Sequence, residues 1–479
     1  MTSIDALALE RLPVAALRPN PRNARTHSRK QIAQIAASIE RFGFTNPVLV
    51  DEAGVIIAGH GRVAAAKALG LNAVPVLRIG HLSEAEKRAY ILADNKLALN
   101  AGWDPEILAI ELQFLSEVDI DFDAEITGFS TAEIDLIIGD EAAPEPPESV
   151  SPLDRGVPAV TRSGDLWLMG DHRLLCADAL EATSYQAVQN GELARLVIAD
   201  PPYNVPIDGH VCGKGQVRHA EFAMASGEMS AAEFTAFLAA AIARMTEHSV
   251  DGSLHYLFMD WRHMAELLAA AKGHYAERKA LCVWNKTNGG MGSFYRSKHE
   301  LCFVFKNGKA PHVNAIDLGR TGRYRTNVWD YAGVNVFRPG RREDLEAHPT
   351  VKPTVMIADI MKDASKRGDL VLDPFAGSGA TILAAERIKR RAAAIEIDPH
   401  YVDRAIARWQ AATGAEARLE ATGERFAEVA AARQCANVLP TEAALQAPDA
   451  AVDTAELAAN GSARRVGAAG KRRRAHVQA

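Results

Sequence analysis

A short apolar run that ends in an acid and two prolines is the feature of this sequence that most constrains its fold. Residues 196–199 (Leu-Val-Ile-Ala) have the length and composition of a buried strand. The next four residues are Asp200, Pro201, Pro202 and Tyr203. Neither proline can donate a backbone hydrogen bond to a sheet, so the strand must stop there. The pattern predicts a carboxylate, two stiff carbonyl groups and an aromatic ring at a strand end, which in an open α/β sheet is where ligands bind.

Strand-like and helix-like segments alternate from about residue 164 onwards. This alternation predicts a mostly parallel sheet with helices on both faces. The predicted strands are Arg173–Ala177, Leu196–Ala199, Leu254–Met259, Ala280–Trp284, Leu301–Phe305, Leu370–Leu372 and Ala392–Ile397.

A second strand end carries a glycine turn. The run 370–372 leads into Asp373, Pro374, Phe375, Ala376, Gly377, Ser378 and Gly379, and a helix is predicted from residue 380. Glycines at such a turn let the backbone approach a ligand closely. The next predicted strand reaches Glu396, an acid placed to accept hydrogen bonds from ribose hydroxyls. The spacing is not G-x-G-x-x-G, which disfavours a nicotinamide cofactor.

Residues 164–415 resemble the S-adenosylmethionine-dependent DNA amino-methyltransferases. Residues 200–203 match the D-P-P-Y catalytic motif of that family, and residues 375–379 match its F-x-G-x-G cofactor motif. The catalytic motif precedes the cofactor motif, an order that resembles the β class. In this order the third strand of the sheet is expected to come from Arg173–Ala177, ending at Asp178, instead of following Glu396. The resemblance implies a Rossmann-like sheet and S-adenosyl-L-methionine as cofactor. Its implied cofactor-binding residues are Asp178, Lys352, Asp373, Phe375, Gly377, Gly379 and Glu396.

The chemistry of amino-methylation explains these residue types. The exocyclic amine of adenine is a poor nucleophile because its lone pair is delocalised into the ring. Acceptors for its N–H groups, supplied by the Asp200 carboxylate and the Pro201 carbonyl, would direct the lone pair at the methyl group. The base must first leave the duplex, and Tyr203 is the expected stacking surface for it. Within the family, aspartate at the first motif position favours adenine N6 in DNA, and cytosine N4 stays open. No metal is expected.

The segments between the strands are expected to meet double-stranded DNA. Basic and aromatic residues concentrate around 284–300 and in a variable region at about 306–345, within a chain of net charge −6. The candidate DNA-binding residues are Lys286, Arg296, Arg323 and Arg325. The alternative is a solvated insertion that does not contact DNA.

The first 82 residues form a separate module by their pattern. An amphipathic helix is predicted over 28–43, with Ser28 as N-cap and Gly43 as its end. A later turn, Gly59-His60-Gly61-Arg62, opens another helix and is able to hold an anion on its free N–H groups, or to be a plain tight turn. Residues 8–80 resemble the ParB/sulfiredoxin superfamily, which implies nucleotide or DNA binding at Gly59, Gly61 and Arg62. The reactive cysteine of sulfiredoxin is missing from this turn.

The expected organisation is an α/β methyltransferase preceded by a small α+β domain. It comprises a ParB-like domain (1–82), a helical extension (83–139), an acidic proline-rich linker (140–160), the methyltransferase domain (161–435) and a disordered tail (436–479). Five scattered cysteines without C-x-x-C spacing favour reduced thiols over a disulfide frame. The chain shows no signal peptide or membrane span, so a cytoplasmic location is expected. A homodimer is left open.

Two other functions compete with DNA adenine methylation. The first is a ParB-like nucleotide- or DNA-binding protein in which the methyltransferase domain is secondary, although the intact motif residues argue against decay. The second transfers the methyl group to protein or RNA, but the N-P-P-Y motif typical of such enzymes is missing. Since no restriction endonuclease is visible in the chain, an orphan enzyme and one half of a restriction-modification pair are equally compatible.

Overall fold

The computed structural model describes residues 8–117, 124–141, 156–204, 227–286, 295–316, 323–332 and 352–438. Several predicted segments lie wholly or partly outside these ranges. They are most of the linker, residues 287–294, much of the variable region at 306–345, and the tail beyond residue 438. Within them, no helix is long and apolar enough to cross a membrane.

The N-terminal module is built on a small four-stranded sheet. Its strand order is β1-β4-β2-β3, with β2 parallel to β4 and the other pairs antiparallel. The elements are β1 (Leu9–Pro13), α1 (Arg29–Phe42), β2 (Val48–Val50), β3 (Ile56–Ala58), α2 (His60–Ala68) and β4 (Ala73–Arg78). The predicted cap of α1 is confirmed, because Ser28 Oγ accepts from the Gln31 N–H at 3.1 Å and Gly43 ends the helix with φ of 80°.

Three helices follow this sheet. They are α3 (Glu84–Asn100), α4 (Pro105–Glu117) and α5 (Thr131–Glu141). Helix α3 begins with a capping box, in which Ser83 and Glu86 exchange hydrogen bonds. Helix α5 is joined to the larger domain by a buried ion pair, since Arg390 donates to both oxygens of Asp135 at 3.2 and 2.7 Å.

The larger domain contains a ten-stranded sheet. Its strands are β5 (Leu166–Met169), β6 (His172–Cys176), β7 (Ala194–Ala199), β8 (Ser249–Met259), β9 (Glu277–Lys286), β10 (His299–Lys306), β11 (Val328–Tyr331), β12 (Leu370–Asp373), β13 (Arg391–Glu396) and β14 (Arg418–Leu419). Its helices are α6 (Ala182–Gln189), α7 (Ala231–Glu247), α8 (Met264–Ala271), α9 (Thr354–Ala364), α10 (Ala380–Arg387), α11 (Pro399–Thr413) and α12 (Phe426–Val438).

The order of strands in this sheet is β11-β9-β10-β8-β7-β12-β13-β6-β5-β14. The five adjacent strands from β8 to β6 are parallel to one another. Strand β10 runs antiparallel to both of its neighbours, and β5 is antiparallel to β6 and β14. The expectation of a mostly parallel sheet therefore holds for the centre, while the flanks make the sheet mixed.

Helices cover both faces of the sheet, as predicted. Helices α9, α10 and α11 pack with one set of alternate strand residues, including Leu196 and Ile198 of β7. Helices α6, α7 and α8 pack with the other set, including Val197 and Ala199. Because residues 196–199 of β7 are buried on both faces, this part of the strand is a continuous apolar run rather than an alternating one.

Candidate functional site

Four neighbouring parallel strands end at the same edge of the large sheet and define the candidate site. In sheet order they are β7, β12, β13 and β6. Each carries an acid at or just after its carboxyl end. These acids are Asp200, Asp373, Glu396 and Asp178. The sequence prediction that the segment 173–177 supplies the strand beside Glu396 is confirmed, because Cys176 pairs with Glu396 in parallel register.

Both oxygens of the Asp200 carboxylate are engaged in hydrogen bonds. Tyr203 Oη lies 2.5 Å from Asp200 Oδ1, and Lys352 Nζ lies 2.5 Å from Asp200 Oδ2. The side chain of Lys352 is 5% exposed and that of Asp200 is 25% exposed. The catalytic motif is therefore a charged and partly enclosed cluster rather than an open strand end.

Glu300, on β10, is a member of this cluster that the sequence analysis missed. Its Oε1 is 2.6 Å from Tyr203 Oη and 2.7 Å from Lys352 Nζ, and its Oε2 accepts from Lys286 Nζ at 2.7 Å. The available signal was an acid directly before the apolar run of a predicted strand, since an acid that is buried in such a place requires a partner. Sequence distance hides that partner, because Lys352 is 52 residues away.

Burial and the neighbouring charges shift the pKa values of these groups in opposite directions. Burial raises the pKa of Asp200, and the nearby Glu300 charge adds to this, while Lys352 opposes it. Burial also acts to raise the pKa of Glu300, but Lys352 and Lys286 outweigh it and lower that pKa to about 2. The pKa of Tyr203 is raised well above its usual value by burial and by both carboxylates. In the resting site Glu300 is thus ionised, and Asp200 is the acid that more readily takes a proton, so Glu300 can hold a proton only in passing.

Lys352 was predicted among the cofactor-binding residues, and the structure places it beside the catalytic motif. Its ammonium group contacts Asp200 and Glu300 and lies 5.0 Å from the centre of the Phe258 ring. These carboxylates raise the pKa of Lys352, although burial alone would lower it. The ammonium group therefore stays charged.

The glycine turn after β12 is organised by Asp373. Its Oδ1 accepts from the Phe375 N–H at 3.0 Å, and its Oδ2 accepts from Thr381 Oγ1 at 2.5 Å. Burial raises the pKa of Asp373 to about 7. The Phe375 ring packs against Phe237 with ring centres 6.2 Å apart.

Glu396 connects this turn to the end of β13. Its Oε2 accepts from the Gly377 N–H at 2.7 Å, and its Oε1 accepts from the Asp398 N–H at 2.9 Å. Burial raises the pKa of Glu396 to about 7. Gly379 has a different role, because a Cβ atom there would lie 2.7 Å from the Ala405 Cβ. This glycine permits close packing between α10 and α11.

The acids at this edge suit a ligand that carries hydroxyl and ammonium donors. Glu396 and Asp373 are buried carboxylates beside a glycine turn, and each oxygen of a carboxylate can accept a second hydrogen bond. Asp178 follows the neighbouring strand and holds its own turn, accepting from the Leu180 N–H at 2.9 Å. These residues fit the adenosine and amino-acid parts of S-adenosyl-L-methionine.

The prediction that Arg323 and Arg325 bind DNA is corrected by the structure. Arg323 is buried, and its Nη2 donates to Asp363 Oδ1 at 2.6 Å. Arg325 Nε donates to Asp363 Oδ2 at 3.0 Å, and its Nη1 donates to Tyr331 Oη at 2.8 Å. Guanidinium groups held in this way fasten the β11 segment to α9 and do not face a phosphate.

The other DNA-binding candidates have different surroundings. Lys286 pairs with Glu300 and is 32% exposed, and Arg296 is exposed. Tyr295 and Tyr324 are more than four-fifths exposed. Basic residues 338, 341 and 342 of the variable region lie outside the described residues.

The predicted anion turn of the N-terminal module is held by contacts within that module. Gly59 has φ of 102° and precedes α2, and the guanidinium group of Arg62 lies against it. Arg62 Nη1 donates to the carbonyl oxygens of Asn46 and Pro47 at 2.7 and 3.0 Å. Arg62 also borders a cavity of about 450 Å³ between α1 and the turn at residues 126–128. A Cβ at Gly61 would lie 3.0 Å from His27 and Ile35.

Among the described residues, no group of three or more His, Cys, Asp or Glu side chains is arranged to hold a metal ion. Cys176, Cys282 and Cys302 are buried free thiols.

Three family models match successive parts of the chain. A DNA methylase family, named for N6 and N4 amino-methylation, matches residues 194–408. The ParB N-terminal domain matches residues 2–96, and a ParB-methyltransferase HTH domain matches residues 106–163. The fold and site thus define a DNA methyltransferase that uses S-adenosyl-L-methionine. The chain therefore combines a DNA methylase domain with a ParB-like domain at the N-terminus.

Individual relatives match each part. The ParB-like nuclease domain-containing protein YnaK of Escherichia coli (strain K12) is 53% identical over 76 residues, which are 16% of this chain and 87% of that protein. Type II methyltransferase M.HpaI of Haemophilus parainfluenzae is 24% identical over 253 residues, which are 49% of this chain and 73% of that protein. The crystal structure of the M1.HpyAVI-SAM complex is 20% identical, covers 49% of this chain and 97% of that one, and has a TM-score of 0.37.

Proposed function

We propose that this DNA methyltransferase transfers a methyl group to the N6 amine of adenine in double-stranded DNA, at a specific sequence. The observation that carries the proposal is the position of Asp200, at the end of β7 and directly beside the glycine turn that follows β12. This arrangement brings an acceptor for an amine next to a pocket edge suited to adenosine.

The residues of the catalytic motif would prepare the amine for attack. The Asp200 carboxylate accepts one N–H of the amine and the Pro201 carbonyl accepts the other, which directs the nitrogen lone pair out of the ring plane. S-adenosyl-L-methionine supplies, when bound, a methyl group on a positively charged sulfur. Holding the acceptors in place before reaction stabilises the charge that develops on nitrogen, and alignment of the reactants lowers the barrier further.

The cofactor would be held by the acids and backbone of the neighbouring strand ends. In this proposal Glu396 accepts from the ribose hydroxyls, Asp178 lies near the adenine, and Asp373 with the 375–377 backbone faces the amino-acid portion. Pro202 keeps the catalytic turn stiff.

The adenine would reach Asp200 only after rotating out of the duplex. Flipping costs a few kcal/mol. Stacking of the base on the Tyr203 ring would return about 1–3 kcal/mol. The Tyr203 hydroxyl is held by Asp200 and Glu300, which fixes the ring orientation before the base arrives.

Aspartate in the first motif position supports adenine over cytosine. In the family that the sequence resembles, serine at this position is common in cytosine-N4 enzymes, and Asp200 is the adenine-type residue. Cytosine N4 is the alternative target, because both products come from the same chemistry on an exocyclic amine.

The test is to express the full chain in a host that lacks DNA methylation and to identify the modified nucleoside by mass spectrometry, with the motif mapped by single-molecule sequencing. We expect N6-methyladenine in one sequence motif. Asp200→Ala should abolish it, since the acceptor for the amine is lost. Glu420→Gln, an exposed acid in the same domain, serves as the matched control and should keep full methylation.

A result of N4-methylcytosine in the mapped motif would replace adenine as the target. Absence of any modified base, or its persistence in the Asp200→Ala strain, would contradict the proposal.

We also propose nucleotide or DNA binding as the role of the N-terminal module. The observation that favours it is the 450 Å³ cavity bordered by Arg62 and by polar side chains of α1 such as Gln31, Gln34 and Ser38. A cavity of this size is in the range that holds a nucleotide-sized ligand. Double-stranded DNA and a second copy of the chain remain proposed partners of the whole protein.

Titration of the full chain with CTP, ATP and a DNA duplex, followed by calorimetry, tests this second role. Gln34→Ala alters the cavity without touching the Gly59 turn, and Arg62→Ala alters both. Loss of binding in both variants supports the cavity as the site. If only Arg62→Ala loses nucleotide or DNA binding, and its melting temperature is also lowered, the role of Arg62 is to hold the Gly59 turn in place.

The domain organisation stays a proposal as well. We infer a ParB-like domain over 1–82, a helical extension over 83–139 and a methyltransferase domain over 161–435, joined by the acidic segment 140–160.

A further inference from the structure

The hydroxyl group of Tyr203 lies between two carboxylates, although it has a single hydrogen to donate. Its oxygen is 2.5 Å from Asp200 Oδ1 and 2.6 Å from Glu300 Oε1. Both separations are those of O–H···O⁻ hydrogen bonds. When both acids are ionised, only one of the two contacts can contain a hydrogen. The three oxygens are therefore arranged to hold one proton more than the resting groups supply.

Lys352 explains how such an arrangement can exist at rest. Its ammonium group lies 2.5 Å from Asp200 Oδ2, 2.7 Å from Glu300 Oε1 and 3.4 Å from Tyr203 Oη. The positive charge offsets the repulsion between the two carboxylates. It does not donate into the contact between Asp200 Oδ1 and Tyr203, so the place for the extra proton stays open.

Amino-methylation releases one proton at the position of Asp200. As the new N–C bond forms, the S–C bond breaks, and its electron pair stays on sulfur to give a neutral thioether. The methylated nitrogen keeps a positive charge until one of its hydrogens leaves. Asp200, which accepts that N–H in the proposed mechanism, is the group in direct contact with the departing proton.

We propose that Glu300 and Lys286 complete a proton-exit path that runs from Asp200 through the Tyr203 hydroxyl to solvent. This inference rests on the proposed amino-methylation and adds residues that act through Asp200. The proton passes from the nitrogen to Asp200 and from Asp200 Oδ1 to Tyr203 Oη, while Tyr203 transfers its own hydrogen to Glu300 Oε1.

Lys286 connects the inner end of this path to solvent. Its ammonium group is 2.7 Å from Glu300 Oε2 and its side chain is 32% exposed, whereas that of Glu300 is 7% exposed. Lys286 passes one of its protons to solvent in the same step in which it receives the proton from Glu300, so the ammonium charge and the charge of the cluster are unchanged. This exchange restores the resting state. One proton leaves in each cycle, as the reaction requires.

Two other titratable groups face the cluster within the described residues. Burial, with the neighbouring charges, raises the pKa of the Cys302 thiol well above its usual value, so Cys302 stays neutral. Asp373 is hydrogen-bonded to Thr381 and to the Phe375 N–H, and it acts on the cluster through its charge interactions with Asp200 and Lys352. Neither Cys302 nor Asp373 is therefore a hydrogen-bonded member of the path.

The test compares Glu300→Gln with the wild-type chain in single-turnover methyl transfer on the mapped DNA motif, over a range of pH. Glutamine has the same shape and still accepts from Tyr203 and Lys352, but it does not take up a proton. We expect the plateau rate to fall about 100-fold, the size of a general-base effect. We also expect the acid limb to move to lower pH, because removal of the Glu300 charge lowers the pKa of Asp200.

Two further variants separate a proton path from a structural role. Tyr203→Phe keeps a stacking ring but breaks the path. The double variant Tyr203→Phe/Glu300→Gln should transfer methyl groups no more slowly than the slower single variant, because both substitutions interrupt the same path. Glu386→Gln removes another hydrogen-bonded acid, the partner of His172 and Trp409, and should leave the rate and the pH profile unchanged.

An unchanged rate and pH profile in Glu300→Gln, with an active wild-type chain, would overturn the proton path alone. A uniform loss of rate at every pH with weaker cofactor or DNA binding would assign Glu300 a purely structural role and would also overturn it. If the wild-type chain methylates no amine, the proposed function fails first, and the path fails with it.

Discussion

Two buried ion clusters in the large domain are built from the same charges and differ in the cation that each uses. The lysine cluster consists of Asp200, Tyr203, Glu300, Lys352 and Lys286 at the carboxyl ends of the strands. The arginine cluster consists of Asp363 and Asp359 on α9 with Arg323, Arg325 and Tyr331.

The difference shows how a buried charge network is suited to structure or to chemistry. A guanidinium group is a rigid planar fork that holds a carboxylate in a fixed geometry and stays charged. An ammonium group is a point charge that can be shared among several oxygens and can exchange protons. Lys352 is shared by Asp200 and Glu300, whereas Asp363 gives one oxygen to each of two arginines. The lysine cluster can change its protonation state, and the arginine cluster fastens β11 to α9.

The largest expected effect is on the stability of the arginine cluster. Asp363→Ala leaves two buried guanidinium groups without their shared acid, which should cost about 3–5 kcal/mol in the free energy of unfolding. Urea unfolding followed by circular dichroism measures this loss. Glu192→Gln, which removes one side of the exposed pair with Arg391, is the matched control and should cost less than about 1 kcal/mol. Equal losses in the two variants would contradict a structural role for Asp363.

The next effect is on activity, from exchange of the cation in the lysine cluster. Lys352→Arg keeps the charge, but its fork would bind Asp200 with fixed geometry and occupy the lone pairs that the amine needs. We expect methyl transfer to slow about 100-fold, as for a misplaced catalytic group, with little change in melting temperature. Single-turnover kinetics and a thermal melt measure the two properties. A variant that is destabilised but transfers methyl groups at the normal rate would refute the distinction between the clusters.

The reciprocal exchange should have the opposite signature. Arg325→Lys loses the simultaneous contacts with Asp363 and Tyr331, which should cost about 1–2 kcal/mol in the free energy of unfolding. The rate of methyl transfer at a temperature where the variant is folded should stay within twofold. Urea unfolding beside the same kinetic assay checks both, and a large loss of rate without loss of stability would show that Arg325 serves the site after all.

The smallest effect concerns the cofactor-side acids, whose described hydrogen bonds come from backbone N–H groups and one hydroxyl. Burial raises the pKa of Asp373 and of Glu396 to about 7. Each group therefore stabilises the folded state fully below the pKa of the unfolded chain, near 4, and this contribution is lost as pH rises towards 7. We expect the free energy of unfolding to fall by at most about 1.4 kcal/mol per pH unit for each group in that window.

Urea titrations of the cofactor-free chain at pH 4.5, 5.5 and 6.5 measure this slope, and Glu396→Gln should reduce it by removing one of the two groups. A slope that is the same in this variant would show that Glu396 does not titrate in the window.

Local signals in the sequence were sufficient for the secondary structure that frames the site. The apolar run before Asp200, the Asp-Pro-Pro break and the glycine turn at 377–379 each act through neighbouring residues, and the strands and the α10 helix begin and end close to the predicted positions. The pairing of β6 with β13 was also predictable, because the reordered motifs leave one place for that strand.

The partners of the charged side chains were not predictable in the same way. Arg323 and Arg325 looked like DNA contacts because basic residues in a variable region usually face solvent, yet Asp363, some 40 residues later, binds both. The role of Glu300 was missed for the same reason, since Lys352 reaches it only through the fold.

The sequence by itself determined that β7 ends in a carboxylate and that β12 ends in a glycine turn, because chain breaks and backbone freedom are properties of adjacent residues. Only the tertiary structure decided which cation each buried acid receives, since ion pairs form across strands and helices that are distant in the chain. That assignment separates Asp200, whose neighbours can exchange protons, from Asp363, whose neighbours cannot.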